Sequence, residues 1–114
     1  MLYIVYDLVP KLSVRALERL KKKITIENLW MYIIRILMEQ EPLKAYDIKV
    51  LLREKYGIKP ATVTVYSVVY RMARDNLIKP VKVSGETRYR VTEQGISALK
   101  KAIELLEEII NKLK

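Results

Sequence analysis

Residues 62–80 read TVTVYSVVYRMARDNLIKP, and the period of this stretch decides the fold. Thr62-Val63-Thr64-Val65 alternates polar and apolar side chains and is wholly β-branched, which suits a pleated surface. From Val65 onward, however, the large apolar residues fall at Val65, Val69 and Met72. At about 100° per residue, Val69, Met72 and Asn76 lie within roughly 40° of Val65. Val63, Ser67, Tyr70 and Arg74 then point the opposite way, with Thr64 and Arg71 on one flank. A strand would put Ser67 and Arg71 on the face of Val63 and Val69, which a one-sided core does not accept. The spacing therefore predicts a helix over about 61–75, with Pro60 in its first turn and Thr62 as its N-cap. Its intrinsic propensity is low, so tertiary packing must hold it.

The flanking sequence extends this helix into a series. Residues 2–8, LYIVYDL, form a short apolar arm that Pro10 ends. Residues 12–23 read as a helix with Leu17, Leu20 and Ile24 on one side and Lys21-Lys22-Lys23 at its negative end. Thr25 can cap a second helix over about 26–40, with an apolar stripe of Leu29, Ile33, Ile36 and Leu37, and Pro42 closes it. A third helix over 44–56 carries Ile48, Leu51, Leu52 and Tyr56 and stops at Gly57. Beyond Asn76, LIKPVKV, SGE and TRYRV read as two short strands around a turn at Gly85. Tyr89 and Val91 share one face of the second strand, and Arg88 and Arg90 share the other.

Residues 92–114 form a final helix that Thr92 can cap. Ile96, Leu99, Ile103, Leu106, Ile110 and Leu113 recur at intervals of 3 and 4, a heptad seam suited to dimerisation, with help from residues 12–24. The alternative is an amphipathic helix folded back on its own domain, for which Ala98, Ala102, Leu105 and Ile109 widen the stripe. The architecture expected is mostly α with a small β-hairpin wing. A winged helix-turn-helix with its N-terminal arm and helix occupies residues 1–91, and the dimerisation helix occupies 92–114.

Composition narrows the chemistry. The 114 residues contain no cysteine and no histidine, which removes thiol nucleophiles, disulfides, imidazole-dependent triads and nearly all zinc sites. No cofactor, metal site or enzymatic activity is expected, and paired carboxylates such as Glu107-Glu108 belong to a solvated helix face. Scarce glutamine and asparagine beside abundant lysine and glutamate lean towards a thermophile. No apolar run is long enough to span a bilayer and no basic signal-peptide start is present, so a cytoplasmic location is expected. The net charge is +9, but residues 92–114 sum to zero, so the whole excess lies in residues 1–91. A basic body joined to a neutral tail suits a body that meets a polyanion and a tail with another task.

Several motifs carry a family resemblance. Ala45-Tyr46-Asp47-Ile48, Thr64-Val65-Tyr66 with Tyr70-Arg71-Met72, Leu77-Ile78, and Tyr89-Arg90-Val91-Thr92-Glu93-Gln94-Gly95 stand in the order of the motifs of PadR-type transcriptional regulators. That family typically shows Gly-Tyr-Glu-Ile, Thr-Val-Tyr-Pro followed by Leu-x-Arg-Leu, Gly-Leu-Ile, and Tyr-x-Leu-Thr-x-x-Gly. The resemblance covers residues 29 to about 100. This chain departs from it at Ala45 and Asn76 for glycine, Ser67 for proline, and Met72 and Val91 for leucine. The resemblance implies a homodimeric winged-helix protein that binds double-stranded DNA, often a repressor, sometimes released by a small aromatic or drug-like effector.

In such a layout the helix over 61–75 enters the major groove and the wing over 77–91 follows the backbone or minor groove. Thr62, Thr64, Tyr66, Ser67 and Arg71 are then the candidates on the recognition helix, for base edges or phosphate. Lys59, ahead of the helix, and Lys82, Arg88 and Arg90 on the wing are the candidates for backbone phosphates. Trp30 sits beside Leu29 and Ile33 and is assigned to packing, and most of the eight tyrosines to core edges. Two other classes remain open: a winged helix that serves as a protein-interaction module in a transcription assembly, and a sequence-blind architectural DNA binder, for which the charge alone would suffice.

Overall fold

The computed structural model describes residues 14–114, so the arm over 2–8 and the start of the helix expected at 12–23 lie outside the described residues. Five helices and a hairpin follow one another: α1 (Val14–Ile24), α2 (Leu29–Glu39), α3 (Ala45–Tyr56), α4 (Thr62–Arg74), β1 (Ile78–Val83), β2 (Glu86–Val91) and α5 (Glu93–Leu113). The core is a single cluster in which α2 is central. Leu29, Ile33, Ile34, Ile36 and Leu37 from α2 meet Ile48 and Leu52 of α3, Val65, Val69 and Met72 of α4, Ile78 of β1 and Leu99 of α5. The 3.6-residue period thus chose the buried face of α4 correctly, and Trp30 packs against the same cluster.

Local boundaries differ from expectation in three places. Ala61, extended at φ −62° and ψ 151°, is the N-cap of α4, so Thr62 is its first helical residue and caps nothing. Pro60 stands ahead of the helix and is buried there, rather than in its first turn. A 3-10 turn, Ile26–Asn28, precedes α2, and the Thr25 hydroxyl donates back to the Lys21 carbonyl at 2.6 Å instead of capping forward. Short polar side chains compete with the helix for such local bonds, which is why their register is hard to fix from sequence.

The remaining stops behave as their residue types dictate. Gly57 ends α3 in the left-handed region at φ +67°. Asn76 adopts φ +62° after α4, and its N–H bonds the Ala73 carbonyl while the Leu77 N–H bonds that of Met72, closing the helix in a Schellman pattern. Asparagine is among the few non-glycine residues that tolerate this conformation, which accounts for its place where the PadR-type motif has glycine. The hairpin closes through Ser84 and Gly85, both at positive φ, in the two-residue turn that matches strand twist. Leu43 bridges Tyr89 through paired backbone bonds of 3.2 and 2.8 Å, which ties the wing to the body. On the far side of the core, Glu39 joins α2 to α3 through Lys55 at 2.6 Å, and that bond holds its carboxyl below the usual range.

α5 begins at a tight junction. The Thr92 hydroxyl lies 2.7 and 3.0 Å from the carbonyls of Asn76 and Leu77, and accepts the Gly95 N–H at 3.0 Å. Gly95 is buried, and a Cβ there would run into the Leu77 carbonyl and the Ile34 side chain. Alanine is otherwise the better helix former by about 0.8–1.0 kcal/mol. Gly95→Ala is nevertheless expected to destabilise the protein, by about 1–3 kcal/mol or more, as overpacking does. Denaturant unfolding measures this, and a variant as stable as the parent would show that the junction can open at no cost.

Candidate nucleic-acid interface

Burying Val65, Val69 and Met72 forces the opposite face of α4 outward. Val63 and Tyr70 on that face are 74% and 69% exposed, and Tyr66, Ser67 and Arg71 are exposed beside them. Arg71 donates from Nη1 to the Ser67 hydroxyl at 3.0 Å, so the two side chains present one hydrogen-bonding unit. Thr64 is only half-exposed and turns with Val68 and Arg71 into a groove against Glu27, Leu29 and Trp30. Thr62 is exposed in the first turn. No carboxylate lies on this face between Thr62 and Arg74; Asp75, just past the helix, is taken by Arg74 at 3.3 Å.

Ahead of α4, Lys59 is exposed and lines a shallow groove with Tyr46, Lys49 and Arg53 of α3. Among the described residues, none of Lys49, Arg53 and Lys59 has a salt-bridge partner, so three cations meet there uncompensated. Sequence reading missed Lys49 and Arg53. The available signal was a basic pair at i and i+4 on the flank of the Ile48–Leu52 stripe, about 100° round the helix; the packing that brings it to Lys59 is a tertiary fact.

The wing candidates separate. Lys82 pairs with Thr87 one rung from the turn, on the side of the hairpin that carries Tyr89, and its ammonium donates to the Thr87 hydroxyl at 2.9 Å. Arg88 and Arg90 lie on the other side. Arg88 reaches Glu86 at 3.4 Å, with its Nε buried and without a hydrogen-bond partner. Arg90 stands opposite Lys79 near the root, 3.8 Å from Glu41, whose other oxygen accepts the Val91 N–H at 2.7 Å. Lys82 is therefore the candidate nearest the tip with no acidic partner, and the two arginines are partly occupied in holding the hairpin. Between wing and α4 lies a cleft lined by Tyr46, Tyr66, Tyr70, Thr87 and Tyr89, with Lys44 held 3.7 Å from Glu86 across it. Tyr46, Tyr66 and Tyr70 are exposed, against the expectation that most tyrosines form core edges, because their backbone positions lie off the buried stripes of α3 and α4.

The long helix divides its apolar residues. Leu99 is buried at 7% exposure in its own domain, a correction to its place in the seam, because α5 packs on α2 at that level. Ile96, Ile103, Leu106, Ile110 and Leu113 remain exposed, with Leu105 and Ile109 beside them. α1 buries no residue at all, although Leu20 and Ile24 give it an apolar side. Two amphipathic surfaces are thus unpartnered among the described residues. Among the described residues no group of three or more acidic side chains could hold a metal ion, and no helix is long and apolar enough to cross a membrane.

No family model matches the chain, and no curated protein resembles it closely in sequence. Solved structures match it in fold. A transcriptional regulator from Clostridium thermocellum is 28% identical with a TM-score of 0.61, over 73% of this chain and 86% of that one. A PadR family transcription regulator from Clostridium difficile R20291 is 25% identical with a TM-score of 0.55, over 74% and 96%. A PadR family transcriptional regulator from Eggerthella lenta shares the fold at 21% identity and a TM-score of 0.64, over 96% of this chain and 93% of that one.

Proposed function

From the premise that this chain is a PadR-type winged-helix protein, we propose that it is a sequence-specific DNA-binding regulator of transcription, acting as a homodimer and as a repressor. The observation that carries the reading is the carboxylate-free outward face of α4. Ahead of it in the chain come Lys49, Arg53 and Lys59, which share one groove, and after it Lys82 on the wing, all four without a salt-bridge partner among the described residues. Phosphate attraction from those cations would set the protein on the duplex, while α4 supplies groups short or forked enough to reach base edges. Arg71, oriented by Ser67, is the side chain suited to a guanine. Thr62, Thr64 and Tyr66 flank it, and Arg88 and Arg90 would contribute less to phosphate binding than their charge suggests, because each already faces a carboxylate.

A second copy of this chain is the occupant proposed for the exposed side of α5, with α1 contributing. An apolar surface of this extent on a monomer marks an interaction site, and the 3-4 spacing of Ile96, Ile103, Leu106, Ile110 and Leu113 matches a helical partner. Two-fold symmetry would set the two α4 helices in successive major grooves, so the preferred site is an inverted repeat with half-sites about 10 base pairs apart.

Three outcomes test this reading. Light scattering of Ile103→Glu is expected to show a monomer where the parent is a dimer, since a charge buried unpaired costs about 3–5 kcal/mol; an unaltered dimer would move the interface elsewhere. If Lys49, Arg53, Lys59 and Lys82 each neutralise a phosphate, a dimer makes about eight contacts, and the logarithm of affinity should fall against log salt with a slope of about −7. A slope near zero would remove DNA as the partner. Finally, Arg71→Ala should lose about 1–3 kcal/mol on a site selected from random sequences and little on unrelated DNA. Equal losses on both, titrated at one salt concentration, would reduce Arg71 to a phosphate contact and favour an architectural binder.

A further inference from the structure

The most exposed of the large hydrophobic residues of α4 is an aliphatic one. Val63, the second residue of the helix, is 74% exposed and has no role in the core, which α4 reaches through Val65, Val69 and Met72. Valine is a weak helix former compared with alanine or leucine, so local stability does not explain its presence at a solvated position. It offers nothing to phosphate, since it has neither charge nor a hydrogen-bonding group. It stands on the same outward line as Ser67 and Tyr70, one turn ahead of Ser67, where a helix-turn-helix directs its recognition helix at base edges. Among the described residues, the unpartnered apolar side chains that suit a second copy of this chain belong to α1 and α5, not to this face.

In the major groove the one apolar feature among the four base-pair edges is the 5-methyl group of thymine. We propose that Val63 reads a thymine methyl in each half-site, which makes a thymine at that position a determinant of specificity alongside any base bonded by Arg71. The inference rests on the DNA-reading role of α4. It adds a class of ligand group, an apolar one, that the hydrogen-bonding residues of the helix cannot recognise. Thr62 and Thr64, its neighbours, carry a methyl group each, but Thr64 is turned into the groove towards Trp30, and Val63 alone presents two methyls outward without a hydroxyl.

Replacing thymine by deoxyuridine removes the methyl and leaves base pairing and every hydrogen-bonding group intact, so the test needs no change to the protein in its first arm. On a site selected from random DNA, single thymines of the half-sites are replaced one at a time, and dissociation constants are titrated at one salt concentration. One thymine per half-site should prove sensitive, with binding about fourfold weaker when it is replaced in one half-site and about sixteenfold when it is replaced in both, as expected for an exposed methyl group. In Val63→Ala, an exposed substitution that favours the helix, that sensitivity should disappear. Sensitivity equal in parent and variant, or a selected site with no sensitive thymine, overturns the assignment of Val63 and leaves the DNA-reading role standing. A selection that enriches no sequence overturns both.

Discussion

The junction of Thr92 with the end of α4 governs the geometry of the whole domain. The chain leaves α4 through Asn76 in the left-handed region, and the Thr92 hydroxyl lies within bonding distance of the carbonyls of Asn76 and Leu77, the two residues that lead from the helix to β1. The same hydroxyl caps α5, so one side chain couples the end of the outward-facing helix, the root of the hairpin and the start of the long helix. Gly95 makes the coupling close, because the Leu77 backbone and Ile34 occupy the space where a side chain would stand. Anything that shifts α5 at its base therefore shifts the wing and α4 together. In the proposed dimer that linkage would pass the spacing of the two copies directly to the spacing of the two reading helices.

Charge is placed with comparable economy. Several of the basic side chains that sequence alone makes equivalent are engaged with acids: Arg88 with Glu86, Arg90 with Glu41, Arg74 with Asp75, Lys44 with Glu86. Exposed pairs of this kind contribute little to stability, roughly 0–1 kcal/mol each, yet they decide which cations remain available. Lys49, Arg53, Lys59 and Lys82 are among the cations with no such partner among the described residues; the first three line one groove ahead of α4, and Lys82 stands on the wing. The net charge of +9 is thus less informative than its unpaired part.

The alternation at Thr62–Val65 shows how local signals compete. As a strand it would be plausible, and β-branched residues disfavour a helix, but burial of Val65, Val69 and Met72 against α2 overrides propensity. The consequence is an outward face that mixes aliphatic, aromatic and hydrogen-bonding groups. Exposed tyrosines at 46, 66 and 70 belong to the same outcome, since the stripes that fill the core leave them on the surface facing the wing.

The sequence by itself determined the order and type of the described elements, the buried faces of α2 and α4, the burial of Ile48 and Leu52 though not of Tyr56 on α3, the turn at Gly85, the Thr92 cap and the segregation of positive charge into residues 1–91. These follow from periodicity, backbone restrictions and short-range bonds, each read within a few residues of chain. Only the tertiary structure decided that Leu99 serves its own core while its neighbours along the seam stay exposed, that Arg88 and Arg90 face carboxylates, and that Lys49 and Arg53 join Lys59. Those outcomes depend on the angles at which α3, α4 and α5 cross α2, and no local pattern encodes an angle between elements distant in sequence.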